Sequence, residues 1–184
     1  MKFLTDGNLG KLSKWLRILG YDTLFYRKNI DLACLMNAQK EGRVVLTRKQ
    51  ALSRRQYAGR LLVLRHDRVE EQIGEVFEKL SLRWEPERFF SRCVKCNVEL
   101  ADASSEDAAP IVPGYVLENS SAFRRCPSCG SVFWPGTHKD NMLRFIRSIR
   151  LTRTSSCTTQ IGNLDENAGF QNVIIDVIPS ENMI

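Results

Sequence analysis

Histidine is scarce in this chain: His66 and His138 are the only two among 184 residues. Neither stands at a recognisable motif spacing from a serine or cysteine, so a nucleophilic triad has no support. No apolar run reaches the roughly 18 residues that a membrane-spanning helix needs. The opening Met1-Lys2-Phe3-Leu4-Thr5-Asp6 has no apolar core of the signal-peptide kind, and a secreted protein is not expected. Neither a P-loop nor a G-x-G-x-x-G occurs, which leaves nucleotide-fuelled and dinucleotide chemistry without a signature. There is no internal repeat. Negative charge is thin where positive charge is dense: residues 1–80 hold 16 Lys+Arg against 9 Asp+Glu. Such a surplus suits a polyanionic partner, nucleic acid first, although it also suits a merely well-dispersed protein.

Cysteine, in contrast, is plentiful and patterned. Cys93 and Cys96, then Cys126 and Cys129, form two C-x2-C pairs separated by 29 residues. Two intervening residues let both sulfurs of a pair reach one tetrahedral ion, and Asn97 or Gly130 can take the left-handed turn that follows. Four soft sulfurs close the coordination shell of Zn2+, so the expected role is structural; disulfides or buried thiols are the competing readings. A thiolate zinc site fits a reducing compartment, cytoplasm or nucleus. The remaining Cys34 and Cys157 belong to no pattern.

Along the chain, short apolar runs alternate with helical periodicity. Lys2–Thr5, Thr23–Tyr26, Arg43–Thr47 and Leu61–Leu64 read as strands. Leu9, Leu12, Trp15, Leu16 and Leu19 mark a helix stopped by Gly20, with Lys11, Lys14 and Arg17 falling away from its apolar face. Asp31 opens a second helix, residues 50–57 a weak third, and Val69 to Leu80 a fourth. Four such alternations predict an α/β domain over residues 1–82, a parallel sheet with helices on both faces. A zinc ribbon with a closing helix is expected over residues 88–150. Ala101–Gly114 reads as an exposed excursion and Tyr115-Val116-Leu117 as a strand. Residues 151–184 read as a disordered tail.

Ligands of such sheets sit beyond the carboxyl ends of the strands. That lip should gather Asp6, Arg27, Thr47, Arg48 and Arg65-His66-Asp67. Asp6, at a strand-to-helix junction, is the leading catalytic candidate. With Asp31 and Asp67 it could hold Mg2+ or Mn2+ and orient a water against a phosphodiester. Asp31 and Asp67 also read simply as helix caps. Lys11, Lys14, Arg17, Arg27, Lys28, Arg48, Lys49, Arg54 and Arg55 could line a phosphate-binding groove. Tyr21, Phe25, Tyr26 and Tyr57 could stack on bases or pack in the core.

Several of these segments resemble, in order, the Mut-seven C-terminal RNase domain. They are Phe3-Leu4-Thr5-Asp6, Leu9-Gly10-Lys11-Leu12, Trp15-Leu16-Arg17, Leu19-Gly20-Tyr21-Asp22, Val44-Val45-Leu46-Thr47-Arg48, and the cysteine segment with Phe133-Trp134-Pro135-Gly136-Thr137-His138. The resemblance covers roughly residues 2–150. It implies a PIN-like nuclease fold followed by a zinc ribbon, ribonuclease activity, and acids at the sheet edge that bind Mg2+ or Mn2+. Asp6 matches the acid after the first strand, and Asp31 an acid at the start of the second helix. One position departs from the family pattern: Thr47-Arg48 is followed by Lys49 where an aspartate is expected. The expected function is therefore a metal-dependent ribonuclease with Asp6 and Asp31 catalytic and with Lys11, Lys14, Arg17, Arg48 and Lys49, read from the charge pattern, on RNA. The alternative is an RNA-binding protein of the same fold whose catalysis is weakened by Lys49. A protein partner docking on the ribbon is a further expectation.

Overall fold

Lys2–Thr5 (β1) pairs in parallel with Asp22–Phe25 (β2) on one side and Arg43–Thr47 (β3) on the other, and β3 pairs with Leu61–Val63 (β4). The result is a four-stranded parallel sheet ordered β2-β1-β3-β4. This computed structural model describes residues 1–154 apart from 55, 56, 121 and 136, and for residues 137–140 and 150–154 the backbone course alone. The expectations for Arg55, the side chain of His138 and everything after 154 lie outside the described residues.

Successive residues of β1 and β3 feed opposite faces, as strand geometry requires. Phe3, Val44 and Leu46 join a core with Leu12 and Leu16 of Gly10–Ile18 (α1) and Ile73, Val76 and Phe77 of Val69–Lys79 (α4). Leu4 and Val45 join Leu35 and Ala38 of Leu32–Lys40 (α2) and Leu52 of Gln50–Ser53 (α3). Every residue of β3 is buried, as a central strand covered on both sides must be. Helix α1 ends at Gly20, whose N–H donates to Arg17 O at 2.9 Å, with Tyr21 N–H donating to Leu16 O at 2.9 Å. Gly20 has φ +84°, and a Cβ there would meet Arg88 O at 2.3 Å, so only glycine serves.

The second module is a three-stranded antiparallel sheet of Ala101–Ala103 (β5), Phe123–Arg125 (β6) and Val132–Phe133 (β7). One expectation is refined here and one corrected. Ala101–Gly114 is largely exposed, as expected, but not structureless: Ser104 and Asp107 form a reciprocal capping box that starts Ser105–Ala108 (α5), and Ala108 and Val112 are buried in the module's core. Tyr115-Val116-Leu117 is not a strand but part of Gly114–Asn119 (α6), started by Pro113. Of these residues Val116 is fully buried, Leu117 packs partly buried against the same core, and Tyr115 is exposed.

The closing helix, Thr137–Thr154 (α7), runs past residue 150. It packs on the first module rather than on the ribbon. Ile146 and Ile149 enter the core of Phe3, Leu12 and Phe77. Phe145 stacks on Trp15 with ring centroids 4.2 Å apart. The linker is buried in the same core through Phe89 and Phe90.

Arg17 is the main tie between the modules, which corrects its assignment to RNA. The residue is 8% exposed. Its Nε donates to Thr23 O at 2.9 Å, and its Nη1 to Val94 O at 2.7 Å and Lys95 O at 3.0 Å. A guanidinium buried against three carbonyls is not available to phosphate. Burial pushes Arg17 below the usual arginine range, opposed by the sulfurs of Cys93 and Cys96 and by Asp22. Asn97 completes the tie: its Oδ1 accepts from Thr23 N–H at 2.8 Å and its Nδ2 donates to Asp22 Oδ1 at 2.7 Å.

Asp22 also accepts from Arg43 Nη1 at 2.7 Å. Burial pushes its carboxyl up, but the hydrogen bonds from Arg43 and Asn97 and the charges of Arg43 and Arg92 outweigh this and hold it below the ordinary value. A carboxylate depressed in the folded state stabilises above its unfolded pKa of about 3.9, and the benefit is lost as pH falls through the folded value. Asp22→Asn is therefore expected to destabilise the protein at neutral pH. The gap to wild type should close in acid below about pH 4, read from denaturant unfolding across pH.

Candidate functional site at the sheet lip

Asp6 follows β1 and is 1% exposed. Its Oδ1 accepts from Asn8 N–H at 3.0 Å, so it caps the turn Gly7–Leu9 that leads into α1. Its Oδ2 accepts from the Thr47 hydroxyl at 2.5 Å, across from the end of β3. Thr47 Oγ1 in turn accepts from Lys49 N–H at 3.0 Å. Gly7 lets the loops after β1 and β2 close on one another, since a Cβ there would meet Arg27 O at 2.9 Å. Among the described residues no cation pairs with Asp6. That is unusual for a buried carboxylate, which is ordinarily paired or bound to metal.

The other acids do not join it. Asp31 is exposed and its Oδ1 accepts from Cys34 N–H at 2.7 Å, capping α2. Asp67 pairs with Arg48 across the loops after β3 and β4. Among the described residues, only the four cysteines bring three or more potential ligand groups together. Lys49 stands at the start of α3, where it supplies no side-chain cap. Its ammonium donates to Asn29 Oδ1. The lip thus offers one oriented carboxylate and one hydroxyl. Mg2+ accepts so spare a set when substrate phosphate and water complete its shell.

The basic residues are distributed unevenly. Lys11, Lys14, Arg27, Lys28 and Arg48 are exposed. The Arg48–Asp67 pair is exposed at both ends, so little is lost if Arg48 exchanges its partner for phosphate. Tyr21 is 3% exposed, packed edge-on against Phe3 and Phe77, and its hydroxyl donates to Arg83 O at 3.3 Å. It is a core residue, not a stacking platform. Phe25 and Tyr26 are half-buried.

Asn29 and Glu75 escaped the sequence reading, and Thr47 was expected at the lip without its role. Thr47 orients Asp6, and Asn29 draws off Lys49. Glu75 lies 6% exposed on the buried side of α4, and its Oε2 accepts from Arg65 N–H at 3.0 Å and from His66 Nδ1 at 2.9 Å. Burial pushes Glu75 up, but these bonds and the charges of His66 and Lys79 bring it below the ordinary carboxylate range. An acid beside the apolar stripe Ile73, Val76 and Phe77 was the available signal for it.

The four cysteine sulfurs all lie within 4.8 Å of one another. Cys93 Sγ and Cys129 Sγ are 3.8 Å apart, the edge of a tetrahedron whose metal–sulfur bonds measure about 2.3 Å. The knuckles are shaped as their residues predict: Asn97 has φ 66° and Gly130 φ 71°. Cys96 N–H reaches Cys93 Sγ at 3.4 Å and Cys129 N–H reaches Cys126 Sγ at 3.5 Å. Burial pushes the Cys93 thiol up to about 12. At Cys129 burial is outweighed by hydrogen bonding to Ser131, Cys96 and Cys126, which brings it down to about 6. Four neighbouring sulfurs cannot all ionise without a cation among them, and the site could hold a metal ion of zinc's preferences.

A family model described as the Mut7-C RNAse domain matches residues 1–146. Nothing among curated proteins or solved structures matches the chain.

Proposed function

Since the chain belongs to the Mut7-C RNAse domain family, we propose that it binds single-stranded RNA along the lip of the parallel sheet and hydrolyses it with a divalent ion held by Asp6. The observation that supports this most directly is the buried carboxylate of Asp6. It is oriented by Thr47 and Asn8 and has no cation partner among the described residues. A bound Mg2+ or Mn2+ would neutralise the phosphodiester and acidify a water. Lys11, Lys14, Arg48 and Lys49 hold the RNA backbone, and Asp31 serves α2 as a cap rather than the ion. Zn2+ in the four-cysteine site is structural. The test is a manganese titration of cleavage with wild type and Asp6→Asn. Cleavage that survives the substitution overturns the assignment.

Lys49 supports a second reading, in which the chain binds RNA without cutting it. Lys49→Asp separates the two. If the site is active, wild type already cuts and the variant cuts better. If not, wild type binds RNA with salt-dependent affinity and yields no product at any manganese concentration.

A further inference from the structure

The loop after β4 carries a second constellation on the same lip. Leu64 N–H donates to Thr47 O at 2.8 Å, so this loop continues directly beside the residue that orients Asp6. Helix α4 pins it from below. Gln72 Nε2 donates to His66 O at 3.0 Å and to Asp67 O at 3.1 Å, and Glu75 takes the Arg65 N–H. The His66 ring is therefore mounted on held backbone. Its Nδ1–H donates to Glu75 Oε2 at 2.9 Å, which fixes the tautomer and leaves Nε2 as the basic nitrogen. Nε2 has no hydrogen-bond partner among the described residues, and the His66 side chain is 49% exposed against 4% for Glu75. Glu75 Oε1 is buried and also without a partner. Both residues line an open cleft of about 620 Å³.

A carboxylate that is buried, ionised and bonded to one nitrogen of a histidine whose other nitrogen is unengaged is the arrangement of an oriented general base. Among the described residues, the charged groups facing it are Arg65 and Arg68 from its own loop and Glu70, Glu71, Glu78 and Lys79 from α4, and helix α7 contributes Ser148 and Ile149 to the cleft. Arg65 precedes the ring, and Arg68, two residues on, is paired with Glu70 at 3.9 Å in an exposed contact that it can exchange for phosphate, next to Arg48 on the neighbouring loop.

We propose that His66, oriented by Glu75, is a second catalytic centre of this chain, one that cleaves RNA by activating its own 2′-hydroxyl. Nε2 takes the 2′-hydroxyl proton as O2′ forms a bond to phosphorus. The P–O5′ bond breaks, and the leaving 5′-oxygen takes a proton from solvent water. His66 then returns its proton to solvent, and the products are a 2′,3′-cyclic phosphate and a 5′-hydroxyl. No oxidant, cofactor or divalent ion enters the balance. The inference rests on the reading that RNA lies on this lip, but not on Asp6 holding an ion. Glu75 is a positioning residue.

The experiment uses the full chain with its structural metal retained. Single-stranded RNA and an all-deoxyribose oligonucleotide of the same sequence are incubated in buffer without added magnesium or manganese and without chelator. Product ends are read by mass spectrometry. RNA alone is expected to be cut, leaving cyclic phosphate. His66→Gln should lower the rate about 100-fold or more, with an unchanged melting temperature. Glu75→Gln should lower kcat with little change in KM and move the acid limb of the pH–rate profile to lower pH. That is the direction in which loss of a neighbouring negative charge moves a base; a merely structural role would not shift the limb. Cleavage that requires manganese, or that leaves 3′-hydroxyl ends, or that His66→Gln does not slow, overturns the inference. The first two of these results leave the Asp6 reading standing. Manganese-independent cleavage lost in His66→Gln supports the second centre even if Asp6→Asn shows no manganese-dependent activity to lose.

Discussion

Removing the ion from the four-cysteine site, or replacing Cys93 by Ser, is expected to unfold the ribbon and to weaken the sheet domain with it. The ribbon's own core is small: beside Cys93 and Cys126 it buries Phe123, Val132, Phe133, Trp134 and a few small residues. A module of that size seldom stands without a staple. Zinc binding supplies about 10–16 kcal/mol in small zinc modules, because the site does not exist in the unfolded chain. The damage should not stop at the ribbon. Val94 and Lys95, between the first two cysteines, provide two of the three carbonyls that Arg17 engages. Asn97 closes the same knuckle onto Thr23 and Asp22. Once the knuckle opens, Arg17 loses two of its three carbonyls to water, and hydrogen bonds to a charged group contribute about 1.5–3 kcal/mol each. For a chain of this size that lowers the melting temperature by roughly 10–15 °C. The measurements are metal content before and after chelation, thermal unfolding, and hydrogen exchange at Thr23 N–H. Exchange at Thr23 that is indifferent to metal would show that the two modules are energetically separate.

The second large effect concerns the lip. Asp6→Asn is expected to reduce manganese-dependent cleavage about 100- to 1,000-fold, the equivalent of roughly 3–4 kcal/mol of transition-state stabilisation. The replacement is nearly isosteric, and its amide oxygen can still accept from Thr47 or Asn8, so folding should be largely preserved. Lys49→Asp is expected to act in the opposite direction. Two unit charges at about 4 Å and an effective dielectric near 20 interact by roughly 4 kcal/mol. The Lys49 ammonium is already turned to Asn29, so the gain is expected to be smaller, about tenfold in manganese affinity or 1.4 kcal/mol. The same change places a good capping residue at the start of α3, where Lys49 provides none, and should stabilise the protein by about 1 kcal/mol. Half-saturation of cleavage by manganese and denaturant midpoints measure the two effects separately.

Much of this architecture is legible in the residues. The four strands of the parallel sheet fall where short apolar runs end in turn residues, and the helices between them follow their leucine spacing. The metal knuckles are equally local, since two C-x2-C pairs and their left-handed Asn97 and Gly130 define their own geometry. Misreadings arose where one local pattern serves two structures. A three-residue apolar run such as Tyr115-Val116-Leu117 has no period of its own. Ala101–Gly114 is acidic and alanine-rich, which fits a surface loop as well as the short capped helix that forms. The apolar stripe of α7 was visible, but not which core it would enter.

The α/β alternation, the four-sulfur site and the position of Asp6 at a strand end are written in the residue order, because each follows from contacts within a few positions. Packing alone settled which charges are available. It buried Arg17 against carbonyls 77 and 78 residues away, set Thr47 on Asp6 over a separation of 41 residues, turned Lys49 toward Asn29 and placed Glu75 beneath His66. Desolvation and hydrogen bonding at such distances depend on which elements pack together, and spacing along the chain carries no record of that.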